Sequence, residues 1–175
     1  MDLDAAGQSV ARSSVANDPV SEWMDILVLD RKDGQATIQM TLRQEMLNGF
    51  GIAHGGMIFA FGDAAFALAC NAAEADGSTI TVATGVDINF IRSARVGQTL
   101  TAVASRRSLT GRSGIYDVQI TATSSDGGED VLAELRGRSR TIAGPGAPTT
   151  SLPESASSQK SDLRSEESGD LCLPR

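Results

Sequence analysis

A stretch of twenty residues with a single charge most constrains how this chain folds. Residues 54–73 contain seven alanines, and the one charged side chain among them is Asp63. Ile58 is their one β-branched residue, and this composition favours a helix over a strand. A helix that is apolar nearly all round belongs inside a protein. The sequence therefore predicts a buried helix at 54–73 that the rest of the chain must cover.

Runs of strand-forming residues lie on both sides of this helix. Two precede it, and four longer ones, rich in Val, Ile and Thr, follow it. The six predicted strands are 24–29, 36–42, 79–91, 99–109, 115–124 and 131–142. Short connections of turn-forming residues separate the later strands, so neighbours are expected to run antiparallel. The order ββ, helix, ββββ predicts an α+β fold with an antiparallel sheet around one long central helix.

This element order resembles the hotdog fold, in which a sheet wraps one helix. In that fold two subunits usually place their sheets edge to edge with their helices facing each other. The alternative is a ferredoxin-like sandwich, which needs two helices between its strands. Since the sequence shows one such helix, the hotdog fold is favoured.

Composition excludes several classes of function. A net charge of −7 and a pI near 4.6 argue against nucleic-acid binding, which needs a basic face. One histidine and two distant cysteines support neither a zinc site nor a disulfide framework. The longest charge-free stretch, 46–62, contains five glycines and is too short to cross a membrane. Asp2 and Asp4 stand where an export signal needs positive charge, so a cytoplasmic protein is expected.

Both ends of the chain differ in composition from its middle. Residues 144–175 are dominated by Ser, Pro, Gly and charged side chains and include no aromatic residue. Residues 1–20 are similar. Such segments bury too little apolar surface to offset the entropy of ordering them. We therefore expect disordered tails at 1–20 and 144–175 around a domain at 21–143.

Glycines at 49, 51, 55 and 56 lead into the predicted helix. Backbone N–H groups at a helix start have no partner within the helix, and the positive end of the helix dipole lies behind them. They can bind an anion, or a carbonyl oxygen that gains negative charge in a transition state. The alternative reading of the same glycines is a purely structural turn.

Asp63 is the strongest candidate for a functional side chain. A carboxylate inside an apolar helix costs several kcal/mol of desolvation unless it is paired. No Lys or Arg occurs between Arg43 and Arg92, so the sequence offers no nearby cation. Asp63 is either satisfied by Ser, Thr or backbone groups at a subunit interface, or it is functional. The isolation of the charge favours the functional reading.

Helix geometry separates Asp63 from the glycines within one chain. Gly55 and Asp63 would lie about 12 Å apart along the helix axis. A catalytic carboxylate and a backbone donor must both come within about 3 Å of the reacting group. Two antiparallel helices would bring Gly55 of one subunit opposite Asp63 of the other. The sequence thus predicts two shared sites per dimer.

His54 and Asn48 flank the glycine-rich loop. As a functional pair they would fix the loop and orient a reacting group or a water molecule. The alternative for His54 is a simple helix cap. A Ser-His-Asp triad is not supported, because the chain has no Gly-x-Ser-x-Gly motif and Asp63 is too far along the helix to orient His54.

Residues 48–67 read Asn-Gly-x-Gly-x-x-His-Gly-Gly-x-x-Phe-x-x-x-Asp-x-Ala-x-Ala, and Ala-Cys-Asn follows at 69–71. This pattern resembles the PaaI family of hotdog acyl-CoA thioesterases. The similarity covers about residues 21–143. It continues through the four later segments 87–92, 97–102, 114–118 and 136–139.

The resemblance implies an activity and an assembly. The activity is hydrolysis of an acyl-CoA thioester, here phenylacetyl-CoA or a hydroxylated phenylacetyl-CoA, which releases free CoA and the aryl acid in aromatic catabolism. The assembly is a cytoplasmic homotetramer built from dimers. No metal or organic cofactor is implied.

The resemblance also assigns roles to the residues of the first motif. Asp63 matches the catalytic acid, which acts as a general base on water or as a nucleophile. Gly55 matches the backbone donor to the thioester carbonyl, and Gly56 beside it is expected to contact the substrate. His54 and Asn48 match residues that shape and polarise that end of the site.

Candidate contacts to the substrate lie on the later strands. Some relatives carry a Ser or Thr hydroxyl where this chain has Gly85, so Thr84 is the nearest hydroxyl to hold the attacking water. The predicted domain has a single lysine, and arginines must therefore supply positive charge for the CoA phosphates. Arg136, Arg138 and Arg140 alternate on one strand and should share a face. That face is either solvated or substrate-binding, and the resemblance favours Arg112 and Arg138.

Two other functions are compatible with parts of this pattern. A hotdog enoyl-CoA hydratase would need a second acid or base beside Asp63, and the sequence offers His54 alone. A non-catalytic acyl-CoA binding protein would keep the glycines but would not need a buried carboxylate.

Overall fold

The computed structural model describes residues 18–71, 78–123 and 127–144. The predicted tails at 1–20 and 144–175 lie outside these ranges, apart from residues 18–20 and 144. Within the described ranges, no helix is both long enough and apolar enough to cross a membrane.

Two helices and six strands are formed by the described residues, together with a 3₁₀ turn at Gln44–Met46. The elements are α1 (Pro19–Trp23), β1 (Leu27–Lys32), β2 (Gln35–Thr41), α2 (Gly55–Cys70), β3 (Thr79–Phe90), β4 (Thr99–Thr110), β5 (Ser113–Thr123) and β6 (Glu129–Ala143). The strands form one antiparallel sheet in the order β1-β2-β4-β5-β6-β3. The predicted α+β fold, a sheet around one main helix, is confirmed.

Helix α2 packs closely on one face of the sheet because two glycines leave room for it. A Cβ on Gly62 would lie 3.0 Å from the Leu135 side chain of β6. A Cβ on Gly137 would lie 2.8 Å from the ring of Phe66. The side of α2 that faces the sheet is the buried one, formed by Ile58, Phe61, Gly62, Ala65, Phe66 and Ala69. The core thus lies between this stripe and the sheet.

The carboxyl end of α2 is fixed by side chains from outside the helix. Arg31 donates from Nη2 to the carbonyl of Asn71 at 2.6 Å and from Nε to that of Leu68 at 3.3 Å. A cation there is favourable because the negative end of the helix dipole lies at this point. The helix ends at Cys70, before the predicted end at 73, and residues 72 and 73 lie outside the described ranges.

The short helix α1 was not predicted. Its N-cap is Asp18, whose Oδ1 accepts from the N–H groups of Val20 at 3.1 Å and Ser21 at 3.4 Å. Pro19 occupies the first helical position, where a missing N–H costs nothing. Asp-Pro was therefore an available signal for a helix start. The C-cap of this helix, Met24, and the turn at Asp25, which has φ +58°, occupy the start of the run predicted as strand 24–29, so β1 begins at Leu27.

Strand β3 forms an edge of the sheet and pairs with β6 alone. The backbone N–H of Thr141 donates to the Arg112 carbonyl at 2.8 Å and so points away from β3. Thr81 and Thr141, which lie opposite each other, therefore form a non-hydrogen-bonded pair of the β3–β6 ladder. The N–H and C=O of Thr81 therefore point to the outer edge, where the Asn71 side chain binds both, at 2.8 and 3.0 Å. From Ala83 to Phe90 that edge has no strand partner in the described part of the chain.

Candidate active site

Asn48 organises the glycine-rich loop before α2. Its Oδ1 accepts from the N–H groups of Phe50 at 2.9 Å and Ile52 at 3.4 Å. Its backbone N–H donates to the Ile52 carbonyl at 2.8 Å. Gly51 has φ +72°, a left-handed conformation that glycine adopts without strain. The loop therefore has one defined shape, which the Asn48 side chain helps to impose.

His54 caps the start of α2. Its Nδ1 accepts from the Gly56 N–H at 2.9 Å, and its backbone N–H donates to the Met46 carbonyl at 2.9 Å. Because Nδ1 is the acceptor, a neutral His54 carries its proton on Nε2. The ring is exposed, so Nε2–H remains available to a ligand. A cap and a role in the site are compatible, since they use different ring nitrogens.

The first turn of α2 has one free backbone donor. The N–H groups of Gly56, Met57 and Ile58 all donate to His54, to its Nδ1 or its carbonyl. The N–H of Gly55 has no acceptor among the described residues. It lies at the positive end of the helix dipole, where a developing negative charge is stabilised. Gly55 is thus suited to bind a carbonyl oxygen, whereas the Gly56 N–H is already satisfied.

An open cavity of about 310 Å³ lies beside Gly55. Its walls come from the glycine loop, the start of α2, the end of β3 and the segment after it. The lining residues are Ile52, Ala53, Gly55, Ile58, Phe90, Ile91, Arg92, Ser93 and Ala94. Most are apolar, and the charge of Arg92 is paired with Asp130 at 2.7 Å. The cavity is suited to an apolar group attached to the carbonyl that Gly55 would bind.

Asp63 is half-buried and makes no hydrogen bond or ion pair with any described residue. Burial raises the pKa of its carboxyl above the usual range. The side chain lies away from the stripe of α2 that faces the sheet. Phe59 and Ala67, exposed on the same open side of the helix, are apolar. An isolated carboxylate of this kind is typical of a functional site.

One chain does not bring Asp63 and Gly55 together. Both lie on α2, eight residues apart, and are therefore about 12 Å apart along the axis. Asp63 is not among the residues that line the 310 Å³ cavity. A reaction that uses both groups would need a second copy of the chain.

Gly85 makes room for Arg138. A Cβ at position 85 would lie 3.0 Å from Arg138 Nη2, while Nη1 of the same side chain donates to Asp87 at 2.6 Å. Thr84 donates its hydroxyl to the Arg138 carbonyl at 3.1 Å, beside a β-bulge between Ala83 and Gly85. A Ser or Thr at position 85 would require the exposed end of the Arg138 side chain to shift by a few tenths of an ångström.

The three arginines that alternate along β6 share a face, as predicted, but differ in their ion-pair partners. Arg136, Arg138 and Arg140 are all exposed, and the residues between them are buried. Arg136 is paired with Asp117 at 2.6 Å, and Arg138 with Asp87.

Arg140 and Arg112 differ from these two arginines, because neither makes an ion pair with a described residue. The two are close, because Ser113 lies opposite Arg140 in the β5–β6 pairing. Arg140 lies opposite Val82, eight positions from Phe90 and so about 26 Å along β3 from the cavity. The structure therefore brings these two arginines together, but not with Gly55 of the same chain.

Sequence reasoning missed three residues that shape the site. Phe90 lies in a segment noted for its resemblance, but no role was predicted for it. Asn71 lies inside the helix predicted at 54–73, whereas the structure makes it the C-cap of α2. Nothing in the sequence pointed to Arg31, because its contacts at the helix end span about forty residues.

Comparison with known proteins identifies the family. The family model of the Thioesterase superfamily matches residues 50–128. The acyl-coenzyme A thioesterase PaaI of Escherichia coli is 34% identical over 134 residues, which is 77% of this chain and 90% of that protein. The chain belongs to the thioesterase superfamily, and its class of reaction is thioester hydrolysis. The predicted resemblance to the PaaI family is confirmed.

Solved structures agree with this assignment. The E. coli PaaI structure has a TM-score of 0.65 at 34% identity and covers 73% of this chain and 87% of its own. A mutant of the phenylacetic acid degradation protein PaaI from Thermus thermophilus has a TM-score of 0.62 at 28% identity, covering 70% and 98%. These neighbours confirm the predicted hotdog fold.

Proposed function

We propose that this chain hydrolyses acyl-CoA thioesters, and that phenylacetyl-CoA or a hydroxylated phenylacetyl-CoA is its substrate. The names of its relatives support the proposal, since one is an acyl-coenzyme A thioesterase and another a phenylacetic acid degradation protein. The observation that carries it is the free N–H of Gly55 at the wall of an apolar cavity. An aryl-acetyl group is apolar and compact, which suits that cavity.

The active form in this proposal is a dimer. The outer edge of β3 from Ala83 to Phe90 has no strand partner among the described residues, and such an edge readily accepts another strand. The open side of α2 is largely apolar and needs a cover. Two antiparallel α2 helices that cross near Phe59 would bring Gly55 of each opposite Asp63 of the other. Each dimer then has two sites, and a tetramer of such dimers stays a prediction.

The proposed reaction uses water and protein groups alone. The thioester oxygen accepts from the Gly55 N–H, which stabilises the charge it gains. Asp63 of the other subunit takes a proton from water as the water oxygen bonds to the carbonyl carbon. The C–S bond breaks, and the CoA sulfur takes the proton that Asp63 holds. Direct attack by the Asp63 carboxylate is the alternative first step. Its raised pKa suits a group that must take up and return a proton.

The CoA phosphates would bind Arg112 and Arg140. The charge of Arg138, favoured from the sequence, is already paired with Asp87. Antiparallel pairing of two β3 strands would carry the Val82 end of one subunit toward Phe90 of the other. That arrangement brings Arg140 of one subunit toward the cavity of its partner.

The cytoplasmic location stays a prediction.

The test is release of free thiol from a panel of acyl-CoAs. The panel contains phenylacetyl-, 4-hydroxyphenylacetyl-, hexanoyl- and decanoyl-CoA, with Asp63→Asn as the matched inactive control. We expect the two aryl substrates to give the highest kcat/KM. Thiol release no faster than without enzyme on every substrate would contradict the proposal. Hydration of an enoyl-CoA without thiol release would favour a hydratase, and tight binding without reaction a binding protein.

A further inference from the structure

We propose that the ring of Phe90 sets the acyl preference of the site and favours substrates with an aromatic acyl group. This inference rests on the proposed function, because it concerns the acyl end of the same site. It adds a specificity-determining residue at a position to which the sequence assigned no role.

Phe90 lies directly against the residue that would bind the thioester oxygen. Its Cζ is 3.2 Å from the point that a Cβ on Gly55 would occupy. An oxygen bound to the Gly55 N–H would lie about 2.9 Å from the nitrogen. Gly55 and the Phe90 ring lie side by side at the wall of the same cavity. An acyl group held by Gly55 is therefore within reach of the Phe90 ring.

Phe90 is the one aromatic side chain among the lining residues of the 310 Å³ cavity. Ile52, Ile58 and Ile91 form the other large apolar parts of the wall. These aliphatic side chains favour binding of aromatic and alkyl acyl groups alike, because the free energy of burial depends on the apolar area buried. The Phe90 ring is 56% exposed in a single chain, so it is accessible to a ligand. An aromatic acyl group can also pack edge-to-face or offset against it, an interaction that an alkyl chain lacks.

The experiment compares two substrates on each variant. The kcat/KM for phenylacetyl-CoA is divided by that for hexanoyl-CoA in the wild type, Phe90→Leu, Phe90→Met and Phe90→Tyr. We expect this ratio to fall about 3- to 10-fold in the Leu and Met variants and to be retained in Phe90→Tyr, which keeps the ring. Trp23→Leu is the matched control, since Trp23 is 48% exposed and does not line the cavity. Its ratio should equal that of the wild type.

The ratio does not depend on the fraction of enzyme that is folded, so a purely structural role of Phe90 would leave it unchanged. An unchanged ratio in active Phe90→Leu and Phe90→Met would overturn the inference while leaving the proposed function intact. A wild type that hydrolyses neither substrate would instead overturn the proposed function. If neither variant folds, the wild type is tested with cyclohexylacetyl-CoA. A preference for phenylacetyl-CoA of about 3-fold or more is then expected, and equal rates would overturn the inference.

Discussion

Asp63 costs the folded chain stability. Burial raises the pKa of its carboxyl, and no described residue donates a hydrogen bond to it or pairs with its charge. A side chain with this cost is retained when the reaction needs it, since stability and activity commonly oppose each other at active sites.

Replacement of Asp63 by Asn should abolish most activity. The amide keeps the size of the side chain but cannot take a proton from water or attack the thioester. We expect kcat for phenylacetyl-CoA to fall at least about 100-fold, the scale of lost acid–base catalysis. Circular dichroism and gel filtration of the variant serve as controls for folding and assembly. Wild-type turnover in a folded Asp63→Asn enzyme would remove Asp63 from the mechanism.

The same variant should be more stable than the wild type at neutral pH. Because the folded-state pKa of Asp63 lies above its unfolded value of about 3.9, the native state binds a proton more tightly than the unfolded state does. Stability is therefore lost as pH rises from the unfolded pKa through the folded one. We expect urea unfolding to show a gain for Asp63→Asn at pH 7 that shrinks toward pH 3.5. A less stable variant at pH 7 would indicate that a partner subunit stabilises the carboxylate.

At the scale of the elements, α2 is held at both ends by side chains. His54 caps its start, and Arg31 binds carbonyls at its end. Asn71 connects that end to β3, because its amide binds the outward N–H and C=O of Thr81 and the Ala67 carbonyl. These contacts fix the position of Gly55 and Asp63 relative to the sheet.

Loss of the Asn71 amide should destabilise this junction. Asn71→Ala removes three hydrogen bonds, to Ala67 and Thr81, and leaves the Thr81 groups to solvent. We expect a loss of about 1–3 kcal/mol in urea unfolding. Asn89→Ala is the matched control, because Asn89 is exposed on β3 and its side chain makes no hydrogen bond with a described residue. Equal effects of the two substitutions would show that the Asn71 contacts contribute nothing.

At the scale of the whole molecule, one chain carries the parts of a site but does not assemble them. Gly55 and the apolar cavity lie at the start of α2, Asp63 lies about 12 Å along the helix, and Arg112 with Arg140 lies near the opposite end of β3. A symmetric pair of chains is the simplest arrangement that unites them.

Mixed dimers test whether the site is shared. One chain carries Asp63→Asn and the other Gly55→Pro, which removes the N–H at a helical position that accepts proline. His54 already has ψ 129°, as a residue before proline requires. Each parent dimer should be inactive, whereas the mixed dimer keeps one intact site and should regain about half of the wild-type kcat. Purified mixed dimers that stay inactive, with both chains folded, would contradict a shared site.

The arginine pair predicts a salt-dependent KM. Arg112→Gln and Arg140→Gln should each raise KM for phenylacetyl-CoA about 3- to 10-fold at low ionic strength, and the difference should shrink in high salt because charges are screened. Arg136→Gln is the control, since Arg136 is already paired with Asp117. An equal rise in all three variants would mean that the outer face of β6 attracts CoA without a defined phosphate site.

The sequence by itself determined the parts of this protein that depend on local pattern. The apolar run around Ile58 required a helix inside the fold, and runs of strand-forming residues between turn-forming ones placed the strands. The lack of any Lys or Arg between Arg43 and Arg92 already isolated Asp63. Glycines before the helix marked the free donor at Gly55. Each of these features can be read along the chain without knowing which distant residues meet.

The tertiary structure alone decided which distant residues meet. It paired β3 with β6, brought Phe90 against Gly55, and joined Arg138 to Asp87, while Arg112 and Arg140 form no ion pair with a described residue. Strand order and side-chain packing set these contacts, and neither has a local signature, because many strand partners are compatible with the same local sequence. The carboxyl end of α2 shows the same limit, since its charge complement, Arg31, comes from about forty residues away.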